Sequence, residues 1–183
     1  MTLPPNLLLY TEIMKHLYFV RHGLSVMNKK GIFSGRTETP LAPEGVHQAK
    51  LAGQGAKDLG IDCIVSSPMK RAIDTATIIA REIGYPADKI IVSDLFMERA
   101  FGSLEGQTYQ PHMDLEDIEG VEKADLIVER AKVGVGYLQS IPATTILVVS
   151  HGAIGRALRH SLNPTTPFHA TERFNNAEVT KLV

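Results

Sequence analysis

His16-Leu17-Tyr18-Phe19-Val20-Arg21-His22-Gly23 is a run of apolar and aromatic residues that stops on two basic side chains and a glycine. β-Branched and aromatic residues in so short a run predict a buried strand. Gly23 then lets the backbone turn sharply, or lets a ligand approach where a β-carbon would obstruct it. Open α/β sheets bind ligands at the carboxyl ends of their strands, which is where the Arg21 guanidinium and the His22 imidazole arrive. Taken alone, an Arg-His pair after a strand also fits a solvated corner. The pattern recurs, however, at Thr145-Ile146-Leu147-Val148-Val149-Ser150-His151-Gly152. Two strands that each deliver a His-Gly step to one sheet edge would place two imidazoles in one crevice.

The 183 residues fit one domain, large enough to bury roughly 70% of the surface of the unfolded chain. A net charge of -1 lacks the basic excess of a general nucleic-acid binder. The single cysteine, Cys63, excludes an internal disulfide and a multi-cysteine metal site, and its place between Ile61 and Val65 marks a core thiol. No apolar run reaches the roughly 18 residues that span a bilayer. Leu7-Leu8-Leu9-Tyr10 is too short for a signal peptide and lacks a preceding basic residue. The expected setting is therefore cytoplasmic, with neither a membrane nor a nucleic acid as partner. Residues 1–14 carry a Pro-Pro pair and no period, and read as an N-terminal extension of uncertain order, leaving 15–183 as the domain.

Leu24 to Leu41, with Gly31, Gly35 and Pro40, reads as a loop able to cover the crevice. A helix opens at Pro43 and runs to about Leu59, with Val46, Ala49, Leu51, Ala52 and Ala56 inward and Gly60 as its end. Asp62 to Ser66 is a second strand. Ser67 then caps, and Pro68 begins, a helix that continues to Gly84. Arg71 sits one turn inside it, where free amides and the helix dipole favour an anion. Lys89 to Val92 is a third strand, and Glu98 and Glu105 follow it in a glycine-punctuated loop as acid/base candidates. For Glu105 the better reading is an acceptor of loop hydrogen bonds. Gln107 to Val121 is an acidic loop. Val121 to Ser140 forms a helix weakened by Gly134 and Gly136, Ala153 to Leu162 forms another, and Glu178 to Val183 is a closing edge strand. Strands alternating with helices predict a single α/β domain with a mainly parallel central sheet and helices on both faces.

His22, His151, Arg21, Arg71 and Glu98 together make a set suited to phosphoryl transfer. A neutral imidazole attacks phosphorus, while two guanidiniums and the second imidazole, when protonated, offset charge on the equatorial oxygens. Glu98 then protonates the departing alkoxide. Fixed cations already fill the electrostatic role, so neither a metal nor another cofactor is required. His22 needs a backbone carbonyl to hold the proton on its non-attacking nitrogen. Glu98 needs a proton near neutral pH, through partial burial or a neighbouring phosphate charge.

Arg21-His22-Gly23, Ser67-Pro68-x-x-Arg71-Ala72, Glu98-x-x-Phe101-Gly102-x-x-Glu105-Gly106 and Ser150-His151-Gly152 occur in the order and approximate spacing of the histidine phosphatase superfamily. From about Lys15 onward the chain resembles the phosphoglycerate-mutase-like branch. The resemblance implies that fold, a phosphohistidine intermediate on His22, a phosphate pocket of Arg21, Arg71 and His151, and Glu98 as proton donor. It implies also that Asn28 contacts the phosphate, and Gly35 to Leu41 resembles the family's substrate-side loop; Ser34, Gly35 and Gly152 are expected substrate-binding residues. Asn28 read without the family is only a loop residue.

Two positions depart from the family's pattern: Leu24 stands where an acidic residue is common, and Met27 where Trp is frequent. Only 52 residues separate Glu98 from His151, and Ala100 to Glu122 contains no Lys or Arg. A mutase needs cations for a second charged group, which an acidic lid over the pocket would repel. The expectation is a metal-independent phosphatase acting on small phosphate monoesters. Phosphoglycerate-mutase-type transfer, a protein phosphohistidine phosphatase and a non-catalytic phosphate-binding protein are the alternatives, and a homodimer is an allowed state. Among the other histidines, only His112 is kept as a candidate substrate contact.

Overall fold

A computed structural model describes Met14, residues 16–110 and residues 114–183. Apart from Met14, the N-terminal extension lies outside the described residues, as does His112. Five strands, β1 (His16–Arg21), β2 (Cys63–Ser66), β3 (Ile91–Val92), β4 (Thr145–Ser150) and β5 (Val179–Lys181), form one sheet in the order β3-β2-β4-β1-β5. All pairings are parallel except that of β5, which closes the edge antiparallel to β1. Every residue of β4 is buried, as expected of a central parallel strand covered on both faces.

The helices are α1 (Val26–Lys29), α2 (Pro43–Gly55), α3 (Lys70–Ile83), α4 (Ala124–Ser140) and α5 (Gly152–Leu162). Side chains alternate across the strands. Leu17, Phe19, Ile146 and Val148 pack with Ile127, Leu138 and Ile154 from α4 and α5. Val20, Leu147 and Val149 pack with Ala52, Ala76 and Ile79 from α2 and α3 on the other face. The expected single domain with helices on both sides of the sheet is therefore present. Cys63 is buried, and its thiol is pushed up to about 11 by burial, with the Asp62 charge adding to it.

Several expected boundaries move. The second helix stops at Gly55, and a separate 3-10 turn occupies Lys57–Leu59 before Gly60. Leu51, expected inward, is 52% exposed, because small residues on the neighbouring face (Gly45, Ala49, Ala52, Gly53) are the ones packed inward. The next helix begins at Lys70, not Pro68, and the Ser67 hydroxyl accepts from the Met69 amide ahead of it. Within Leu24–Leu41 a short helix, α1, is capped by Ser25. The third strand shrinks to two residues, since Ala87–Lys89 is a 3-10 turn. Gly134, predicted as a weak point of its helix, has a packing reason: a β-carbon there would lie 3.2 Å from the Phe96 ring.

Helix α5 crosses β1 equally closely. A β-carbon on Gly155 would lie 2.4 Å from Cζ of Phe19 and 3.1 Å from the Phe174 ring. Gly155→Ala is expected to cost about 1–3 kcal/mol through overpacking, read as a lower urea midpoint at unchanged slope. An unchanged midpoint would show that the helix can shift without loss.

Candidate active site

The sheet order explains how two distant segments meet. β1 and β4 are direct neighbours, with Arg21 paired to Ser150, so the next residue of each strand, His22 and His151, leaves the same edge side by side. Their ring centroids are 5.1 Å apart at 62°. Gly23 is required by close approach: a β-carbon would sit 2.3 Å from the carbonyl oxygen of Gly45 in α2. Its amide donates to Thr75 Oγ1 (3.0 Å), which donates in turn to the Arg71 carbonyl, tying the β1 exit to α3. Asn176 Nδ2 holds the carbonyl of His22 at 2.8 Å.

The tautomer of His22 follows from its neighbours. The Gly23 carbonyl, 2.7 Å away, can only accept, so Nδ1 carries the proton. Arg71 Nε, 3.2 Å from Nε2, can only donate, so Nε2 carries the lone pair. Burial lowers the His22 pKa well below the usual imidazole value; repulsion from Arg71 and Arg21 adds to this, and the Gly23 hydrogen bond opposes it. His151 is lowered in the same way, by burial first and then by Arg71, His22 and Arg21. The second imidazole is thus neutral in the protein alone, and the condition set for its part in charge stabilisation, that it be protonated, would need a bound anion.

Two buried neutral imidazoles carry a linkage consequence. In the unfolded chain each titrates near the ordinary value of ~6.5. Below that value the unfolded chain binds more protons than the folded one, so stability falls as pH falls. The slope approaches at most about 1.4 kcal/mol per pH unit for each group. The melting temperature is expected to be level above about pH 7.5 and to drop below about pH 6.5, less steeply in His151→Asn. A flat profile down to pH 5.5 would contradict burial of the neutral rings.

Arg71, 1% exposed, spans three acceptors: His22 Nε2, the Thr37 carbonyl (3.0 Å from Nη1) and the Gly35 carbonyl (2.6 Å from Nη2). Arg21 donates through Nη1 to the Phe174 carbonyl (3.2 Å). Glu98, 8% exposed, accepts from the amides of Arg99 (2.8 Å), Ala153 (3.1 Å) and Ile154 (3.3 Å), which fixes its carboxylate on the amino end of α5. The amino end of α3, expected to offer free amides to an anion, is occupied too: the Lys70 amide donates to the Glu38 carboxylate. Glu105 takes the structural role preferred for it. Its burial disfavours the anion, but donors at Arg36, Thr37 and Phe101 more than offset this and lower its pKa.

These groups face a cleft of ≈ 710 Å³ lined by Arg21, His22, Asn28, Ser34, Gly35, Arg71, Glu98 and Gly152. Of the sequence candidates only His151 is absent from the lining: it is fully buried beside His22, with Nε2 2.7 Å from Ser67 Oγ. Buried polar atoms without a partner gather here: Arg21 Nε, Asn28 Oδ1, Ser34 Oγ and His151 Nδ1. Such atoms are costly unless something binds them. Turning the Asn28 amide over would present Nδ2, a donor, at the same point.

The match of residues 17–183 to the family model described as histidine phosphatase superfamily (branch 1) decides the family. The chain belongs to that superfamily. Among curated relatives of this histidine phosphatase, a Bacillus subtilis protein named uncharacterized phosphatase PhoE is 32% identical over 171 residues, covering 90% of this chain and 86% of that protein. Among solved structures, a mycobacterial glucosyl-3-phosphoglycerate phosphatase superposes with a TM-score of 0.78 at 25% identity, covering 91% and 89% of the two chains. A phosphoglycerate mutase from Bacillus anthracis superposes at 0.78 with 22% identity over 94% and 88%, a likeness of fold.

Other residues of the histidine phosphatase cleft were missed by sequence reasoning. Arg156, Arg173 and His169 line it, with an aromatic wall that includes Phe33, Phe101, Tyr109 and Phe168. Arg156 had a signal: four residues beyond Gly152, it shares that residue's face of α5. Arg173 had none, because the loop before β5 brings it in. The acidic lid also needs correcting. Of the described residues between 107 and 121, Tyr109, Gln110 and Leu115 line the cleft, while Glu116 is paired with Arg99 at 2.8 Å.

Proposed function

We propose that this protein hydrolyses small phosphate monoesters through a phosphohistidine on His22. The observation that carries the reading is the Nε2 lone pair, fixed by the Nδ1–H bond to Gly23 in a cleft walled by Arg21 and Arg71. A phosphate oxygen that takes over the Arg71 guanidinium frees this lone pair. Nε2 then bonds to phosphorus as the ester P–O bond breaks, and Arg21, Arg71, Asn28 and His151 Nδ1 stabilise the equatorial oxygens. Glu98, a carboxylate before the ester binds, takes up a proton as the anionic phosphate binds beside it and gives that proton to the leaving alkoxide. Water attacks the phosphohistidine and returns a proton to Glu98, releasing inorganic phosphate and restoring both groups. Guanidiniums supply the charge a metal would, so the proposed reaction is metal-independent. A cytoplasmic setting accords with the lone buried thiol. No described helix is long and apolar enough to cross a membrane.

The test is a panel of phosphate monoesters, 3-phosphoglycerate included, assayed with a chelator. Hydrolysis that persists with chelator is expected. Loss of hydrolysis under chelation, or mutase turnover of 3-phosphoglycerate exceeding its hydrolysis, would overturn the reading.

A further inference from the structure

Charge along the cleft is unevenly matched. Five guanidiniums line it (Arg21, Arg71, Arg99, Arg156 and Arg173), against one carboxylate, Glu98. Arg99 is satisfied by Glu116 and by the Glu122 carbonyl. Arg21 and Arg71 surround the His22 lone pair. Arg156 and Arg173 remain, and neither has a carboxylate partner among the described residues. Aromatic faces hold them instead: the Arg156 guanidinium lies 5.1 Å from the centre of the Phe168 ring, and that of Arg173 lies 5.7 Å from the centre of Tyr109, whose hydroxyl accepts from Nη2 at 2.8 Å. Arg156 is half-buried and its pKa is lowered, by burial first, with repulsion from Arg173 and Arg99 contributing.

A dianionic phosphate beside His22 matches Arg21 and Arg71. It leaves two further guanidiniums on the wall of the same cleft, which must also hold the ester's alcohol. We propose that the alcohol portion of the substrate carries a second oxyanion, a carboxylate or a further phosphate, bound by Arg156 and Arg173, on an apolar body that packs against the aromatic wall. The volume of ≈ 710 Å³ suits a group of that size. This deepens the phosphatase reading and rests on it for the position of the first phosphate. It also reverses the inference from the acidic segment, whose charged side chains do not line this wall.

Calorimetric titration with three phosphonates, which cannot be hydrolysed, tests the proposal apart from turnover: phenylphosphonate, 4-carboxyphenylphosphonate and 1,4-phenylenediphosphonate. The wild-type protein is expected to bind at least one of the doubly anionic compounds about tenfold more tightly than the first, and the preferred one tells carboxylate from phosphate. In Arg173→Gln, at an exposed position, and in Arg156→Gln combined with it, that ratio is expected to fall to within about twofold. A wild-type ratio under about twofold, absence of saturable binding, or a ratio that survives both substitutions would overturn the proposal. Preference retained while none of the matching phosphate esters is hydrolysed would sink the phosphatase reading and leave the second-anion site standing.

Discussion

His22→Ala is expected to lower kcat on p-nitrophenyl phosphate by at least about 10⁴-fold, the scale of loss when a covalent nucleophile is removed from a unit of cooperating groups. No other described group is set to replace it. His151 is fully buried and absent from the cleft lining, with Nε2 engaged by Ser67, and the carboxylate of Glu98 is fixed by three amides. Removing the ring also leaves Arg71 Nε without its acceptor, so the cleft keeps its charge and should still bind phosphate. Rapid-quench labelling with a radioactive ester gives the second readout. An acid-labile, base-stable phosphoenzyme should form in the wild-type protein and be missing from the variant. Activity within about tenfold of wild type would mean that water attacks the ester directly, and the covalent mechanism would be abandoned.

Arg71→Lys is expected to lower kcat/KM by about 10²–10³-fold although the formal charge is kept. The guanidinium of Arg71 reaches His22 and two carbonyls, of Gly35 and Thr37, through three different nitrogens. An ammonium is one point and cannot span them, so buried carbonyls lose their donor at about 1–3 kcal/mol each. Part of this loss should appear in stability as well, through the loop at residues 34–39 that Arg71 pins down. Kinetics and thermal melts on the same sample separate the two effects. A lysine variant within about threefold of wild type would show that charge suffices and that the fork geometry is irrelevant.

The two strand-His-Gly exits were legible because a short strand, a polar exit and a glycine are local features, and the cross-sheet consequence needed only that β1 and β4 be neighbours. Gly23 was legible as a special position, but its partner was not: the carbonyl of Gly45 that excludes a β-carbon belongs to another helix. The helix start at Ser67-Pro68 was read two residues early because a Ser-Pro pair resembles a cap-and-first-turn signal, whereas Ser67 is taken by His151 and the Met69 amide. The free helix end at Arg71 was misjudged for the same kind of reason, since the Glu38 that fills it lies 32 residues upstream of Lys70.

What the sequence by itself determined was the α/β class, the order of its strands and helices, and the catalytic side chains proposed at the strand exits, because periodicity, turn residues and motif spacing are written within short windows. What only the tertiary structure decided was which charges meet. It paired Glu116 with Arg99, set Glu98 on α5, and carried Arg173 from the loop before β5 to the Tyr109 ring in the cleft that Arg156 also lines. Electrostatic partners are selected by distance in space. A count of acidic residues along one segment therefore could not show which of them face the cleft.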